Sequence, residues 1–294
     1  QGSSVYFTNS NDCCSILEKL DFSPREGSEV DFTSLADFIC VSMCRGTVSV
    51  KQSNFNSCAN DCCNIHGIYF KILDVQGDTI TLGYSHRRTF GFNPLRVNDT
   101  ISFIDPKTLT ELGSSKILQS EMIDRYRIRL KLSTRMNNYP VGTVVEDVTA
   151  CPDVEFSENT LNRITLRGLL VTTRGKILIE NNKFLNTGMS GIYVANDALT
   201  WHESGRVKSM MIRGNAFMNC EENSILIAPE NRRFQDFVHE NIYIENNLFV
   251  LSGIPALNVN STKNIVMKNN VYKGKPSFGK YVISKNVDGL VTDM

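Results

Sequence analysis

The segment KILIENNKF, residues 176–184, is the clearest copy of a motif that recurs along this chain. Apolar residues alternate with other residues through its first half, an Asn-Asn pair follows, and an aromatic residue closes it. Alternation with a period of two is typical of β-strands, and Asn is typical of bends. The other strong copies are SMMIRGNAF (209–217), NIYIENNLF (241–249) and NIVMKNNVY (264–272).

Weaker copies extend the repeat toward the amino terminus, at residues 47–55 and, more faintly, at 15–22. After residue 150 the copies start at 153, 176, 209, 241 and 264, so the gaps are 23, 33, 32 and 23 residues. The simplest description is a period of 23 with two insertions of roughly ten residues. Such a period, with three short strands per coil, predicts a right-handed parallel β-helix, since helical solenoids need longer periods and leucine-rich repeats need a Leu-rich consensus.

Each coil of such a helix stacks on the previous one at about 4.8 Å, the spacing of neighbouring strands. Equivalent residues of successive copies therefore lie above one another. We expect Ile177, Ile179 and Phe184 to line the interior. We expect Asn182 and its equivalents to form a ladder in which the side-chain amides hydrogen-bond along the axis.

Residues 68–150 interrupt the repeat with strand-like runs separated by turn signals. Ile68 to Tyr84 predicts a hairpin that turns at residues 76–78, whereas Lys116 to Tyr126 could form a short helix. We therefore expect an all-β chain: a right-handed parallel β-helix with an inserted antiparallel, barrel-like β domain. The predicted parts are residues 1–67 (helix), 68–150 (insertion) and 151–294 (helix continued).

Composition excludes several classes of partner. The chain has 294 residues, with 31 Lys and Arg against 31 Asp and Glu, so bulk charge offers no attraction to nucleic acid or an anionic membrane. No apolar run approaches the roughly 18 residues of a membrane span. The sequence begins with Gln and has no visible signal peptide, which we interpret as a processed or cut piece; a secreted or periplasmic location is the expectation.

The nine cysteines are interpreted mainly as structural thiols, because the repeat places them on strands and bends where Cys fills a core. A disulfide or a metal site built from Cys remains an alternative. His86, His202 and His239 share no spacing, which argues against a His-based metal site. The expectation is therefore no metal and no cofactor.

Two acidic positions stand one coil apart, at Asp37 and Asp61, and Asn60 precedes the second. Since one coil of separation makes residues vertical neighbours, these three side chains should meet in one place. Inverting glycoside hydrolysis needs a carboxylic acid and a carboxylate about 6.5–9.5 Å apart with room for a water. The alternative is that both Asp residues cap bends, and the spacing alone leaves the two interpretations equally open.

Longer motifs resemble glycoside hydrolase family 110, the exo-acting α-1,3-galactosidases of bacteria. They are Ala36-Asp37, Cys44-Arg45-Gly46, Asn60-Asp61 with the run from Asn64 to Tyr69, the run from Arg167 to Lys176, and Asp197 with the run from Trp201 to Gly205. The insertion after Gly67 also fits. The resemblance covers nearly the whole chain, and because family members are longer on the amino-terminal side, the chain resembles their carboxy-terminal part.

The resemblance implies an inverting hydrolase that removes terminal α-1,3-linked galactose from an oligosaccharide or polysaccharide without metal or cofactor. By analogy with the polygalacturonases, which are also β-helical, it implies that Asp37 and Asp61 activate the water and that position 60 holds the general acid. The family has Asp there, whereas this chain has Asn60, which has no useful proton to give. Either an Asp→Asn replacement made to trap substrate or natural divergence explains this, and both predict impaired catalysis with retained binding.

Five further residues are predicted to bind the sugar. Trp201, the single Trp, is a candidate stacking platform. Asp197 and Glu203 flank it and could accept sugar hydroxyls, Arg167 could contact a hydroxyl or carboxylate, and His66 could hydrogen-bond in the pocket or position a catalytic carboxylate. The alternatives are loop packing, solvated charge, a structural ion pair and a buried structural His. Two other functions remain open, a non-catalytic carbohydrate-binding β-helix and a polygalacturonase-like hydrolase, and so does a homodimer.

Overall fold

The computed structural model describes residues 3–10, 14–27, 31–86, 89–135 and 139–293. Within these ranges the regular structure is entirely strand, and no helix is long and apolar enough to cross a membrane. The strands are β1 (Val5–Thr8), β2 (Cys14–Glu18), β3 (Asp21–Phe22), β4 (Ile39–Ser42), β5 (Thr47–Lys51), β6 (Asn54–Cys58), β7 (Cys63–Gln76), β8 (Thr79–Tyr84), β9 (Thr100–Ile104), β10 (Glu111–Asp124), β11 (Arg127–Leu132), β12 (Val144–Asp147), β13 (Asp153–Ser157), β14 (Thr160–Ile164), β15 (Leu169–Val171), β16 (Lys176–Glu180), β17 (Lys183–Thr187), β18 (Ile192–Val194), β19 (Glu203–Ser204), β20 (Ser209–Arg213), β21 (Ala216–Cys220), β22 (Ile225–Ile227), β23 (His239–Glu245), β24 (Leu248–Val250), β25 (Leu257–Lys268), β26 (Val271–Lys273) and β27 (Val282–Thr292).

Three stacks of parallel strands form the sides of a β-helix. Sheet 1 contains β2, β5, β13, β16, β20, β23 and the later halves of β25 and β27. Sheet 2 contains β3, β6, β14, β17, β21, β24 and β26. Sheet 3 contains β1, β4, β7, β15, β18, β22 and the earlier halves of β25 and β27. The prediction of an all-β parallel β-helix is confirmed.

Strand pairing in the stack continues directly from the strands before the inserted segment to the strands after it. Asp153 of β13 pairs in register with Thr47 of β5, although 106 residues separate them in sequence. Equivalent strands of later coils pair at the shorter separation that the repeat predicts, as Val154 with Ile177. The coil that leaves the helix at β7 is therefore followed in space by the coil that begins at β13.

Stacked aromatic rings fill part of the helix interior. The rings of Phe184 and Phe217 lie 4.9 Å apart, those of Phe217 and Phe249 5.1 Å apart, and those of Phe249 and Tyr272 5.4 Å apart, all nearly parallel. These are the aromatic residues that close the motif copies, and Ile177 and Ile179 are buried beside them, as expected. Full burial of a Phe contributes roughly 1.5–3 kcal/mol, so the interior row accounts for much of the stability of the stack.

A buried Asn ladder follows the bend between sheets 1 and 2. Asn182 donates through Nδ2 to Oδ1 of Asn215 at 3.0 Å, Asn215 donates to Asn247 at 3.0 Å, and Asn247 donates to Asn270 at 3.0 Å. Each Oδ1 also accepts the backbone N–H of the preceding rung. The predicted ladder is confirmed, and it satisfies polar groups that would otherwise be buried without partners.

The insertion is a closed antiparallel barrel. Its strands pair in the cycle β7, β8, β11, β10, β9, β12 and back to β7. The hairpin between β7 and β8 turns at Gly77, whose φ of 66° is left-handed, as the sequence predicts. Apolar side chains such as Ile72, Phe103 and Leu130 form a core of its own.

The alternative of a short helix at Lys116 to Tyr126 is wrong, because Lys116 to Asp124 lie in the long strand β10. This run contains helix-forming residues such as Leu118, Gln119 and Met122. Pairing on both sides, with β9 and β11, closes the barrel and outweighs that local preference.

The helix and the barrel are joined by a shared strand and a buried ion cluster. β7 runs for 14 residues, pairing with β4 and β15 at its start and with β8 and β12 at its end. Arg45, which follows β4, contacts Asp99 at 2.6 Å and Asp147 at 3.2 Å, and all three side chains are buried. The barrel is thus attached rigidly beside the start of β7.

The seven cysteines whose side chains the structure describes are free thiols, as favoured from the sequence; they are Cys40, Cys44, Cys58, Cys62, Cys63, Cys151 and Cys220. Cys58, Cys62 and Cys63 pack inside the helix as part of its core. Burial raises the pKa of the Cys58 thiol to about 12, so it is uncharged at neutral pH. Cys13 lies outside the described residues.

Candidate active site

Adjacent coils bring Asp37 and Asn60 together at the bend between sheets 2 and 3. Asp37 precedes β4 and Asn60 precedes β7, and these two strands pair in parallel with Ile39 opposite Cys63. The Asn60 side chain donates from Nδ2 to Oδ1 of Asp37 at 2.6 Å. Asp37 is buried and Asn60 is half-buried, so the pair is partly open to solvent on the Asn60 side.

In this hydrogen bond position 60 is the donor, as a protonated acid at that position would be. A protonated carboxyl there would donate to the carboxylate of Asp37, since two charged carboxylates at this distance repel each other. The Asn60 amide reproduces the donor but carries no proton that it can release. At position 60 the structure therefore shows an amide that donates to Asp37, and its predicted role as the acid position stays a prediction.

Asp61 points to the next coil, where Arg167 holds it. Oδ1 of Asp61 accepts the backbone N–H of Arg167 at 2.9 Å and lies 3.4 Å from the guanidinium. Burial raises the pKa of Asp61 above its ordinary value, and the Arg167 charge and its N–H partly oppose that shift. The result is a desolvated carboxylate with a raised pKa, which is the property of a general base.

Arg167 itself lies between Asp61 and an aromatic ring that the sequence did not single out. Its guanidinium carbon is 5.5 Å from the ring centroid of Tyr193, within range of a cation–π contact. The Tyr193 hydroxyl donates to Glu230 Oε1 at 3.0 Å. Tyr193 faces outward on β18, in the row that continues through Leu170 to Asn64, so the repeat register could have located it.

Glu203 joins the site from the first insertion through the short strand β19, which pairs antiparallel with β7. Its Oε1 accepts from Asn64 Nδ2 at 3.2 Å and lies 3.6 Å from His66 Nε2 and 3.9 Å from His86 Nε2. One ligand atom each from His66, His86 and Glu203 lie within 4.8 Å of one another, so these three residues could hold a metal ion. The sequence predicted no such set, because the barrel brings His86 to β7.

The loop 197–203 is organised by Asp197. Its Oδ1 accepts the backbone N–H of Leu199 at 2.8 Å and of Thr200 at 2.9 Å, and its Oδ2 accepts that of Trp201 at 2.7 Å. Asp197 therefore has a structural task, and its predicted contact with sugar hydroxyls stays a prediction. Trp201 is 48% exposed at the tip of this loop, where its indole can meet a ligand.

The bend between sheets 2 and 3, the next coil and the first insertion thus supply buried carboxylates, a donor amide, a guanidinium and an exposed indole. Such a set suits a polyhydroxylated ligand, since sugars need hydrogen-bond donors and acceptors together with an apolar surface. Asp37 and Asp61 can accept a proton from water. Asn60 can donate a hydrogen bond but cannot protonate a leaving group.

Two family models match the chain, the right handed beta helix region over residues 142–287 and the GLAA-B beta-barrel domain II over residues 79–148. The chain is 38% identical over 239 residues to α-1,3-galactosidase A of Bacteroides thetaiotaomicron, covering 80% of this chain and 42% of that protein. It is 34% identical to the α-1,3-galactosidase A of Streptomyces avermitilis, covering 87% and 43%, and 27% identical to the α-1,3-galactosidase B of Parabacteroides distasonis, covering 82% and 43%. The chain thus spans less than half the length of these relatives.

Proposed function

The chain belongs to the family of the α-1,3-galactosidases, glycoside hydrolase family 110, and from this we propose that its pocket binds a terminal α-1,3-linked galactose. We propose further that the pocket is built for exo-acting hydrolysis with inversion and that Asn60 impairs the step. The substrate would be a galactose-terminated oligosaccharide or polysaccharide.

The observation that carries this proposal is the contact between Asn60 and Asp37 beside Asp61. Asn60 touches Asp37 across the stacked coils, Asp61 follows Asn60 in sequence, and both carboxylates are withdrawn from solvent. An acid at position 60 would protonate the glycosidic oxygen, and Asp61 would take the proton of the attacking water. Asp37 touches position 60 at 2.6 Å, which is too close for the base that faces this acid, so it would hold the acid in place instead. In this chain the water can be activated, but the leaving sugar oxygen receives only a hydrogen bond.

The remaining groups would hold the sugar. Arg167, which contacts Asp61, would also contact a ring hydroxyl, and the exposed indole of Trp201 would stack on the apolar face of galactose. His66 and Glu203 lie deeper, against each other, and would shape the pocket wall. Asp197 would act by fixing the loop that carries Trp201.

Restoring the acid tests the proposal. Asn60→Asp should raise galactose release from Galα1-3Gal by about 10²–10⁴-fold, the usual worth of a general acid. Asn56→Asp is the matched control, since it adds a carboxylate to the same coil on the outer side of sheet 2 and should leave the rate unchanged. Equal rates for Asn60→Asp and the unchanged chain would show that position 60 is not the acid.

The stereochemistry is tested separately on Asn60→Asp. Proton NMR of the first product should show β-galactose, because a water attacks the face opposite the departing oxygen in an inverting enzyme. Initial formation of α-galactose would contradict the inverting mechanism while leaving the substrate assignment intact.

Asn60 also favours a second candidate, binding of the same sugar without turnover. Calorimetric titration of the unchanged chain with Galα1-3Gal should then show saturable binding with no free galactose on long incubation. If Asn60→Asp binds as well but still releases nothing, the chain is a carbohydrate-binding protein. Turnover by that variant identifies it as a hydrolase with one altered residue.

A further inference from the structure

The geometry of His66, His86 and Glu203 points to a divalent transition-metal site beside the pocket, and we propose that it binds Zn²⁺. Two imidazoles with one carboxylate form a common ligand set for this ion, and imidazole with carboxylate disfavours Mg²⁺ and Ca²⁺, which prefer oxygen ligands alone. The inference depends only on these side chains and not on the galactosidase proposal.

The distances suit one ion between the three side chains. Ligands about 2.0–2.2 Å from a tetrahedral Zn²⁺ lie about 3.4 Å from one another. The Glu203 Oε1 atom is 3.6 Å from His66 Nε2 and 3.9 Å from His86 Nε2, and the two imidazole centroids are 5.4 Å apart. All three ligand atoms lie within 4.8 Å of one another, so side-chain rotations that shorten the separations by up to about 1.4 Å would complete the coordination.

The tautomer of His66 leaves a lone pair aimed at the carboxylate. Its Nδ1 lies 2.7 Å from the carbonyl oxygen of Gly67, which can only accept, so Nδ1 carries the proton. When His66 is neutral, its Nε2 therefore has only a lone pair. This lone pair faces another acceptor, Oε1 of Glu203. A cation between them removes this conflict, and a backbone carbonyl that fixes the far nitrogen is the usual support of a metal-binding His.

The surroundings hold these ligands in place. His66 is 3% exposed and His86 8% exposed, and Asn64 Nδ2 donates to Glu203 Oε1 at 3.2 Å. Pairing of β19 with β7 sets Glu203 opposite Ile68, two residues after His66.

An ion here would connect three parts of the chain. His66 belongs to the helix strand β7, His86 follows barrel strand β8, and Glu203 ends the loop that carries Trp201. The bound metal would fix the Trp201 loop and the barrel to the wall of the pocket. It would also neutralise the Glu203 charge, which lies near enough to Asp61 to raise that residue's pKa.

The test is Zn²⁺ binding to the full chain after dialysis against a chelator. Calorimetry with ZnCl₂ near neutral pH should give one ion per chain, and Co²⁺ used as a spectroscopic probe should show the visible absorption of a low-symmetry site. Zn²⁺ should also raise the melting temperature, because an ion that binds the folded state stabilises it. Absence of saturable binding would overturn the proposal.

Variants assign the ligands. His66→Ala and His86→Ala should each weaken Zn²⁺ binding by about 100-fold or more. Glu203→Gln preserves the shape of the side chain and should weaken it at least tenfold, which keeps the test valid if a His variant does not fold. The control is His202→Asn, next in sequence to Glu203, where Asn suits the φ of 60°. Equal affinity for all four variants would mean adventitious surface binding and would refute the site.

Discussion

Arg167 controls the ionisation of Asp61, and this makes a pH-dependent prediction. If Asp61 is the proposed base, it must be charged to accept a proton, so activity should fall as pH drops through its pKa. The guanidinium lowers that pKa against the opposing effect of burial. Removing it in Arg167→Gln, on the Asn60→Asp background, should therefore move the acid limb of the kcat/KM profile to higher pH.

The measurement compares pH–rate profiles of the single and double variants on Galα1-3Gal. Arg213→Gln serves as the control, because Arg213 pairs with Glu180 on the exposed side of sheet 1 and should leave the limb in place. If Arg167→Gln lowers the rate without moving the limb, Asp61 is not the base that Arg167 supports.

Trp201 should contribute to sugar affinity and little to folding. Trp201→Ala is expected to weaken Galα1-3Gal binding about tenfold, since a stacking contact is worth on the order of 1 kcal/mol. Phe234→Ala is a suitable comparison, because Phe234 is an exposed aromatic residue in the second insertion, 39% exposed. Calorimetry on both variants checks this, and equal losses would place the sugar away from the first insertion.

Individual side chains were predictable where the repeat itself brings them together. Asp37 and Asn60 meet because one coil separates them, and that spacing is visible in the sequence. His86 reaches His66 through the closure of the barrel, which no local pattern encodes. The backbone amides that Asp197 accepts from the next few residues follow a local Asx-turn pattern, whereas its predicted contact with sugar hydroxyls stays a prediction.

Among the structural elements, Asn side chains bond to one another both in the buried ladder and on the exposed side of sheet 2. This allows a comparison of the same side chain at different burial. Asn215 is buried and bonds to Asn182, Asn247 and the Ile179 carbonyl. Asn162 accepts from Asn186 at 2.8 Å on the exposed side of sheet 2. Asn215→Ala should lower the free energy of unfolding by about 2–5 kcal/mol, because several buried polar groups lose partners.

Asn162→Ala should cost less than about 1 kcal/mol, because water replaces the lost hydrogen bond. Urea denaturation followed by circular dichroism measures both values. Similar costs for the two substitutions would show that the buried ladder contributes no more than surface hydrogen bonds.

Strands were predicted well where burial alternates along them and poorly where barrel closure sets the structure. The motif copies became strands in register because alternate apolar residues, such as Ile177 and Ile179, face one interior. β10 contains residues that favour a helix, but its alternate side chains Ser115 and Ile117 are buried while Lys116 and Leu118 are exposed. Its neighbours supply the hydrogen bonds, and those neighbours are distant in sequence.

Arg45 links the β-helix to the barrel through a buried ion cluster. Replacing it in Arg45→Met leaves Asp99 and Asp147 buried without their shared cation. Breaking a buried ion cluster in this way should lower the free energy of unfolding by about 3–5 kcal/mol. The triple variant Arg45→Met, Asp99→Asn, Asp147→Asn should be more stable than Arg45→Met alone, because it removes the uncompensated charges.

Thermal unfolding of the three proteins provides the measurement. If the triple variant is no more stable than Arg45→Met, packing of the guanidinium and not its charge holds the barrel to the helix.

The pairing of β5 with β13 has a consequence for the order of assembly. Joining strands 106 residues apart requires a larger loop than joining successive coils 23 residues apart, at an extra entropic cost of about 1.4 kcal/mol for a flexible chain. The first and last barrel strands, β7 and β12, are neighbours, so a folded barrel returns the chain close to where it left. We therefore expect the barrel and the later coils to nucleate separately. The early coils would pair with β13 last, after the folded barrel has brought the two ends of the insertion together.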